Sequence, residues 1–135
     1  MTETKHPRIL IVEDEPDWHR TYEMIQREYG IRFRMAINHS DCLMKLTEAH
    51  YDLVILDPQS IHPQDTPMNR MFRTVDDVAE KIRDLQPGIE IALTSGFIEG
   101  YRESGSFTDE LYDYVIYKGE IGEFLKKKWN EGIEA

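Results

Sequence analysis

A short apolar run, Leu53-Val54-Ile55-Leu56, constrains the fold of this chain more than any other feature. Four consecutive aliphatic residues between polar neighbours are typical of a β-strand buried on both faces of a sheet. Such strands lie inside parallel sheets, where ligands bind beyond the carboxyl ends of the strands. Asp57 follows the run directly, and Pro58 ends the strand because proline has no amide hydrogen to donate. Asp57 is therefore either the cap of an ordinary turn or a functional carboxylate.

Four further segments are predicted to be strands. Residues 8–12 form a second continuous apolar run, whereas residues 31–35 alternate apolar and basic side chains, as a half-exposed edge strand does. Residues 89–93 and 114–117 supply the fourth and fifth strands.

Apolar residues at helical spacing separate these strands. Gly30 is predicted to close the first helix, and Ser40 to cap the amino end of the second. Residues 74–77 resemble a capping box before a third helix, and the prolines in residues 58–73 exclude a helix there. The first helix is marked by Trp18, Tyr22, Ile25 and Tyr29, and the second by Leu43, Leu46 and Ala49. The third is marked by Val75, Val78, Ile82 and Leu85, and the last by Ile121, Phe124, Leu125 and Trp129.

The alternation of five strands with helices predicts an α/β fold of the flavodoxin-like kind, a single open parallel sheet with helices on both faces. Right-handed crossovers and the half-exposed second strand favour the strand order 2-1-3-4-5. The 135 residues fit one domain, 1–135, with its core at about 7–130 and no linker to an output domain.

Composition excludes several classes of function. The net charge of −10 disfavours direct nucleic-acid binding, because an acidic surface repels phosphates. No apolar run is long enough for a membrane helix, and the first residues lack the apolar core of a secretion signal. The single cysteine, Cys42, suits a small buried side chain in a reducing cytosol, so a cytoplasmic protein is expected. The basic run 126–128 is expected to complement a helix dipole.

The predicted strand ends bring five reactive side chains to one edge of the sheet: Glu13, Asp14, Asp57, Thr94 and Lys118. Clustered carboxylates repel one another, and a hard cation such as Mg²⁺ relieves that repulsion. A carboxylate can also attack phosphorus, and a metal, a lysine and a hydroxyl donor neutralise the transferred charge. The combination predicts phosphoryl chemistry at Asp57.

The chain resembles the receiver domain of two-component response regulators over about residues 7–130. The segments that carry the resemblance are Ile9-Leu10-Ile11-Val12-Glu13-Asp14-Glu15-Pro16, Tyr51-Asp52-Leu53-Val54-Ile55-Leu56-Asp57, Leu93-Thr94-Ser95-Gly96 and Tyr117-Lys118. It implies that Asp57 accepts a phosphoryl group from a sensor histidine kinase or a histidine phosphotransfer protein. Glu13, Asp14, Asp57 and the backbone carbonyl of Gln59 would then hold Mg²⁺.

The resemblance also implies roles for Thr94, which would hydrogen-bond the phosphoryl group, and for Lys118, which would pair with it. The sequence nevertheless departs from the family pattern. Residues 58–63 lack the usual landmarks after the phosphoacceptor, and Asp57 lies further from Thr94 than is typical. Gly119 replaces a proline whose preceding peptide bond is usually cis in the family.

Val115 stands where the family has an aromatic switch residue. Either Tyr114 takes that role after a shift of one residue, or the coupling between Thr94 and an aromatic residue is missing.

Three hypotheses about function follow from these residues. The first is a phosphorylatable single-domain receiver that signals by altered contact with a target protein of unknown identity. A homodimer is possible under this hypothesis. The second is an atypical receiver that acts as a phosphorylation-independent interaction module. The third is a Mg²⁺-dependent phosphatase with Asp57 as the nucleophile, although Gln59 stands where such enzymes have a second acid.

Overall fold

A computed structural model of the chain describes residues 7–13, 16–57, 75–95, 98–103, 105 and 107–131. Within these ranges, five parallel strands form one sheet in the order β2-β1-β3-β4-β5, as the sequence predicts. The strands are β1 Ile9–Val12, β2 Phe33–Ala36, β3 Leu53–Leu56, β4 Glu90–Ser95 and β5 Tyr114–Tyr117.

Helical segments connect the strands and follow the last of them. The α-helices are α1 Pro16–Tyr29, α2 His39–Glu48, α3 Val75–Leu85, α4 Ile98–Glu103 and α5 Ile121–Leu125. Short 3₁₀ turns cover Asp109–Leu111 and Lys118–Glu120, and the last helix continues as a π-helical segment, Lys126–Glu131. In the part of the chain that the structure describes, no helix is long and apolar enough to cross a membrane.

The sheet separates two apolar cores, because successive side chains of a strand point to opposite faces. On one face, Leu10 and Val54 pack with residues of α2 and α3; we call this the α2/α3 face. On the other, Ile11 and Ile55 pack with Tyr22 of α1 and with residues of α5; we call this the α1/α5 face. Every residue of β1 and β3 is buried, which confirms that these continuous apolar runs are central strands.

The alternating second strand lies at the sheet edge, as predicted. Arg34 is exposed there, while Phe33 and Met35 are half-buried against the α1/α5 face. Gly30 ends α1 with a left-handed φ of 70° and donates its amide hydrogen to the carbonyl of Gln26 at 2.9 Å. Both features agree with the sequence prediction.

The amino end of α2 differs from the prediction, which placed the cap at Ser40. Asn38 is the cap, since its backbone is extended and its side chain accepts a hydrogen bond from the amide of Asp41 at 2.8 Å. Ser40 lies inside the helix and is buried. Asn38 lies two residues before Ser40, and asparagine and serine both favour the cap position, so the sequence does not distinguish them. Cys42 is buried, and burial raises the pKa of its thiol, which fits a packing role.

A buried amide, Gln86, fastens the end of α3 to the segment between α2 and β3. Its Oε1 accepts a hydrogen bond from the amide of Tyr51 at 3.1 Å. Its Nε2 donates to the carbonyls of Leu46 at 2.8 Å and Ala49 at 2.7 Å. The third helix is present as predicted. Thr74 of the expected capping box and the segment 58–73 lie outside the described residues.

The basic run near the end of the chain has a more specific contact than the expected interaction with a helix dipole. Lys128 Nζ lies 2.8 Å from Glu90 Oε1 and donates to the hydroxyl of Tyr114 at 2.8 Å. Lys128 lies in the last turn of this segment, where the dipole prediction places it, and it also has an acid and a phenol on neighbouring strands as direct partners. These contacts bind the π-helical segment to the edge formed by β4 and β5.

Candidate functional site

Four of the predicted site residues point to the same face at the carboxyl edge of the sheet. They are Glu13, Asp57, Thr94 and Lys118, at or just beyond the ends of four strands. Each stands two positions after a residue of the α1/α5 core, so strand alternation directs all four side chains toward that face. The structure thus brings together residues that the sequence places more than 100 positions apart.

Lys118 joins the two carboxylates of this cluster. Its Nζ lies 2.6 Å from Glu13 Oε1 and 2.6 Å from Asp57 Oδ2. All three side chains are buried, with at most 5% of any side-chain surface exposed. Ionised groups at such depth are stable only when they are paired. The ammonium of Lys118 is therefore the internal counter-ion of the site.

The pKa of Lys118 reflects two opposing effects. Burial alone would lower it, but the hydrogen bonds to Asp57 and then Glu13 outweigh burial and raise the pKa above its ordinary value. Lys118 is therefore charged at neutral pH. One positive charge faces two carboxylates, which leaves room for a further cation beside them.

Thr94 lies next to Asp57 across the sheet. The β3–β4 register pairs Leu56 with Leu93, so Asp57 and Thr94 occupy the next position of their two strands. Thr94 is 1% exposed, and its hydroxyl has no hydrogen-bond partner among the residues that the structure describes. A buried hydroxyl without a partner costs free energy, so this hydroxyl is available to a group bound at Asp57.

Three residues of α1, which are not among the predicted site residues, lie around the site. The ring centre of Trp18 lies 4.9 Å from Lys118 Nζ, a cation–π distance, and His19 Nε2 lies 2.7 Å from the carbonyl oxygen of Glu13. Tyr22 is buried, and its pKa is raised by burial and then by the charges of Glu13 and Asp57.

The position of these α1 residues just after the first strand could have identified them. The start of the helix that follows a parallel strand faces the carboxyl edge of the sheet, where the site forms.

Asp14 and Gln59, the other two predicted metal ligands, lie outside the described residues. Within those residues, no group of three or more His, Cys, Asp or Glu side chains forms a metal site. Glu13 and Asp57 supply buried carboxylate oxygens, the ligand type that Mg²⁺ prefers. The described part of the cluster therefore fits a magnesium ion without completing its coordination.

The sequence departs from the family pattern at two positions around β5, Val115 and Gly119, and the structure describes both. No cis peptide bond occurs in the described residues, so the Lys118–Gly119 bond is trans. Tyr114 packs on the α1/α5 face with Phe124, whereas Val115 packs on the α2/α3 face. A shift of one residue reverses the face of a strand residue, so Tyr114 cannot replace an aromatic residue at position 115. The suggestion that Tyr114 takes this role was wrong.

Comparison with known proteins agrees with this geometry. No family model matches the chain. The response regulator protein TrrA from Thermotoga maritima, solved in complex with Mg(2+)-BeF, is 29% identical, with a TM-score of 0.67 over 90% of this chain and 97% of that one. A CheY-like response regulator receiver domain protein from Methanospirillum hungatei is 21% identical, with a TM-score of 0.66 over 96% of this chain and 98% of that one.

A third solved structure is the receiver domain of a sensor histidine kinase from Pseudomonas aeruginosa, with a magnesium ion in its active-site cleft. It is 18% identical, with a TM-score of 0.65 over 92% of this chain and 97% of that one. The fold is thus the CheY-like receiver fold, and the resemblance seen in the sequence is confirmed.

Proposed function

We propose that the chain is a phosphoacceptor receiver in which Asp57 takes a phosphoryl group from a phosphohistidine donor. The observation that carries this proposal is the buried Asp57 carboxylate, which lies 2.6 Å from Lys118 Nζ and next to the Thr94 hydroxyl, a group without a hydrogen-bond partner among the described residues. A nucleophile, a cation and a spare hydrogen-bond donor are what phosphoryl transfer to a carboxylate requires.

In the proposed reaction, a carboxylate oxygen of Asp57 attacks the phosphorus atom of the donor. The new bond joins that oxygen to phosphorus, the bond from phosphorus to the histidine nitrogen breaks, and the imidazole keeps the electron pair. Lys118 pairs with the phosphoryl oxygens, and Thr94 donates its hydroxyl hydrogen to one of them. Each side chain compensates charge that moves from the donor to the new acyl phosphate.

A magnesium ion held by Glu13, Asp14, Asp57 and the carbonyl of Gln59 would supply further charge neutralisation. The fit rests on the two buried carboxylates, which share a single ammonium. The Thermotoga protein was solved in complex with Mg(2+)-BeF and the Pseudomonas receiver domain with a magnesium ion, which supports the same choice for this chain.

The protein is proposed to act as a signalling switch rather than as a turnover enzyme. Its partners would be a sensor histidine kinase or a histidine phosphotransfer protein in the cytoplasm, followed by a target protein that distinguishes the phosphorylated state. The support is the receiver fold of the solved neighbours, one of which belongs to a sensor histidine kinase.

The packing of β5 favours one alternative, a receiver that acts as a phosphorylation-independent interaction module. Val115 occupies the position where the family has an aromatic residue, and Tyr114 packs on the opposite face of the sheet. Neither residue therefore provides an aromatic side chain on the α2/α3 face. If that coupling is missing, phosphorylation would not change the surface that a target contacts. Equal binding of a target with and without beryllofluoride would support this alternative.

Intact-mass spectrometry after treatment with acetyl phosphate and Mg²⁺ tests the leading proposal. We expect one added phosphoryl group in the wild type and none in Asp57→Asn. The matched control is Asp84→Asn, since Asp84 is exposed on α3 and belongs to no site contact; it should be modified like the wild type. No mass increase in the wild type would contradict the proposal.

A further inference from the structure

A second concave site lies at the opposite edge of the sheet, where β1 and β2 begin. Its volume is about 410 Å³, within the range of small-molecule pockets. The cavity is lined by Pro7, Arg8, Ile9, Gly30, Arg32, Phe33, Arg34 and Tyr51. Three of these eight residues are arginines, in a chain whose net charge is −10.

Strand register explains why the arginines meet. Leu10 pairs with Arg34 and Ile9 with Phe33, so Arg8 and Arg32 stand side by side one position earlier. Arg34 pairs with Leu10 and so points to the α2/α3 face, and Arg8 and Arg32, just before the two strands, line the same cavity. All three arginines are exposed. The cluster is therefore a consequence of pairing between two strands, and the alternating pattern in the sequence did not reveal it.

The described part of the chain does not neutralise this cluster. The guanidinium groups of Arg32 and Arg34 form no ion pair with a described carboxylate. The nearest acid in sequence to Tyr51, Asp52, accepts a hydrogen bond from the backbone amide of Arg8 at 2.8 Å. Like charges held together repel, and a bound anion would relieve that repulsion.

An aromatic wall accompanies the charges. The guanidinium carbon of Arg8 lies 5.2 Å from the ring centre of Tyr51, which is itself buried and lines the cavity. The stacking fixes the Arg8 guanidinium above an apolar surface, so its orientation is set before a ligand arrives. The cavity thus offers cationic donors beside an apolar surface.

We propose that this pocket binds a small organic phosphate. Guanidinium groups match the geometry of phosphate oxygens and bind them through paired hydrogen bonds, and the apolar wall would contact the organic part. This site is separate from the proposed phosphoacceptor, because it lies at the amino ends of the strands and Asp57 lies at the carboxyl end of β3. The inference therefore does not depend on phosphorylation.

Amide NMR titration of the full chain, without divalent cations, tests the proposal. Phenyl phosphate should shift the signals of Gly30 and Tyr51 saturably and leave that of Thr94 unchanged. It should bind more tightly than either inorganic phosphate or phenol, since each of these lacks one of the two contacts. Raising the salt concentration should weaken binding, because the contact is largely ionic.

Arg32→Gln combined with Arg34→Gln should weaken phenyl phosphate binding by about tenfold or more, as charge-assisted hydrogen bonds are lost. The single variant Arg34→Gln should show a smaller loss. Arg20→Gln is the matched control, because Arg20 is exposed on α1 and lies outside the pocket; its affinity should equal that of the wild type.

The proposal would be overturned by the absence of saturable binding, by equal affinity of the double variant and the wild type, or by signal changes centred on Thr94 instead of Gly30. Equal binding of phenol and phenyl phosphate would also contradict it, since the arginines would then have no role.

Discussion

Lys118 Nζ lies 2.6 Å from Asp57 Oδ2, although the two residues are 61 positions apart in the chain. The same nitrogen lies 2.6 Å from Glu13 Oε1, so one buried ammonium serves two buried carboxylates. Because the ammonium is shared, removing Lys118 and removing Asp57 should have different effects on the stability of the fold. Loss of the lysine removes the shared ammonium from both carboxylates, whereas loss of Asp57 leaves the Lys118–Glu13 pair in place.

The shared ammonium predicts different free energies of unfolding for Lys118→Met and Asp57→Asn. Without divalent cations, Lys118→Met should lower the free energy of unfolding by about 3–5 kcal/mol, because it removes the buried counter-ion that both carboxylates share. Asp57→Asn should change it by about 1 kcal/mol or less, since Lys118 keeps Glu13 as its partner. Urea denaturation measures both values. Equal losses in the two variants would show that the ammonium is not shared.

Lys118 also predicts how stability depends on alkaline pH. Its pKa is higher in the folded protein than in the unfolded chain, so the folded state holds the proton more strongly. The resulting stabilisation is complete below the unfolded value of about 10.4 and is lost as pH rises through the folded pKa. Denaturation at a series of pH values should show a smaller alkaline loss in Lys118→Met than in the wild type. Parallel curves would contradict this assignment.

Thr94→Val should separate stability from signalling. The valine removes a buried hydroxyl that has no described partner, so the free energy of unfolding should stay the same or rise by up to about 1 kcal/mol. The amide shifts induced by beryllofluoride and Mg²⁺ should become smaller, because the donor to the phosphoryl position is gone. Thr47→Val is the control: Thr47 bonds the carbonyl of Met44 on the exposed side of α2, and its shifts should match the wild type.

Tyr114→Phe should affect packing only. The variant removes the hydroxyl that contacts Glu90 at 3.0 Å and Lys128 at 2.8 Å, which should cost about 0.5–1.5 kcal/mol. Beryllofluoride-induced shifts of Thr94 should stay unchanged, because the Tyr114 hydroxyl bonds to Glu90 at the beginning of β4 and to Lys128, whereas Thr94 lies near the carboxyl end of that strand. A reduced response at Thr94 would mean that Tyr114 does take part in switching.

Gly30→Ala tests the turn between α1 and β2. The position has a φ of +70°, and no atom lies within 4 Å of the added Cβ, so the expected loss of about 1–2 kcal/mol comes from backbone strain alone. Gly88→Ala is the matched control, since that site has equal space and no left-handed φ. Thermal or urea unfolding of both variants checks the difference. A loss at Gly88 as large as that at Gly30 would contradict this reading of the turn.

The sheet was predictable from sequence because each strand carries its own pattern. The continuous apolar runs of β1 and β3 indicated burial on both faces, and the alternating residues of β2 indicated an edge. Those three patterns, with right-handed crossovers, were enough for the strand order. The carboxyl ends of parallel strands meet at one edge of a sheet. The sequence therefore also predicted that Glu13, Asp57, Thr94 and Lys118 lie close together.

What the sequence did not reveal depends on contacts between distant segments. The position of Trp18 over Lys118, the Lys128 bonds to Glu90 and Tyr114, and the choice of Asn38 as a cap all require side-chain placement. The arginine pocket is similar, because only the β1–β2 register brings Arg8 beside Arg32. Patterns within one segment carry no information about such register.

The most direct measurement of the central claim is chemical mapping of the phosphorylated residue. The chain is treated with acetyl phosphate and Mg²⁺, reduced with sodium borohydride and sequenced by peptide mass spectrometry, since borohydride converts an aspartyl phosphate to homoserine. We expect homoserine at position 57 and at no other acidic residue. Homoserine at another position, or none in the wild type, would contradict the assignment of Asp57 as the phosphoacceptor.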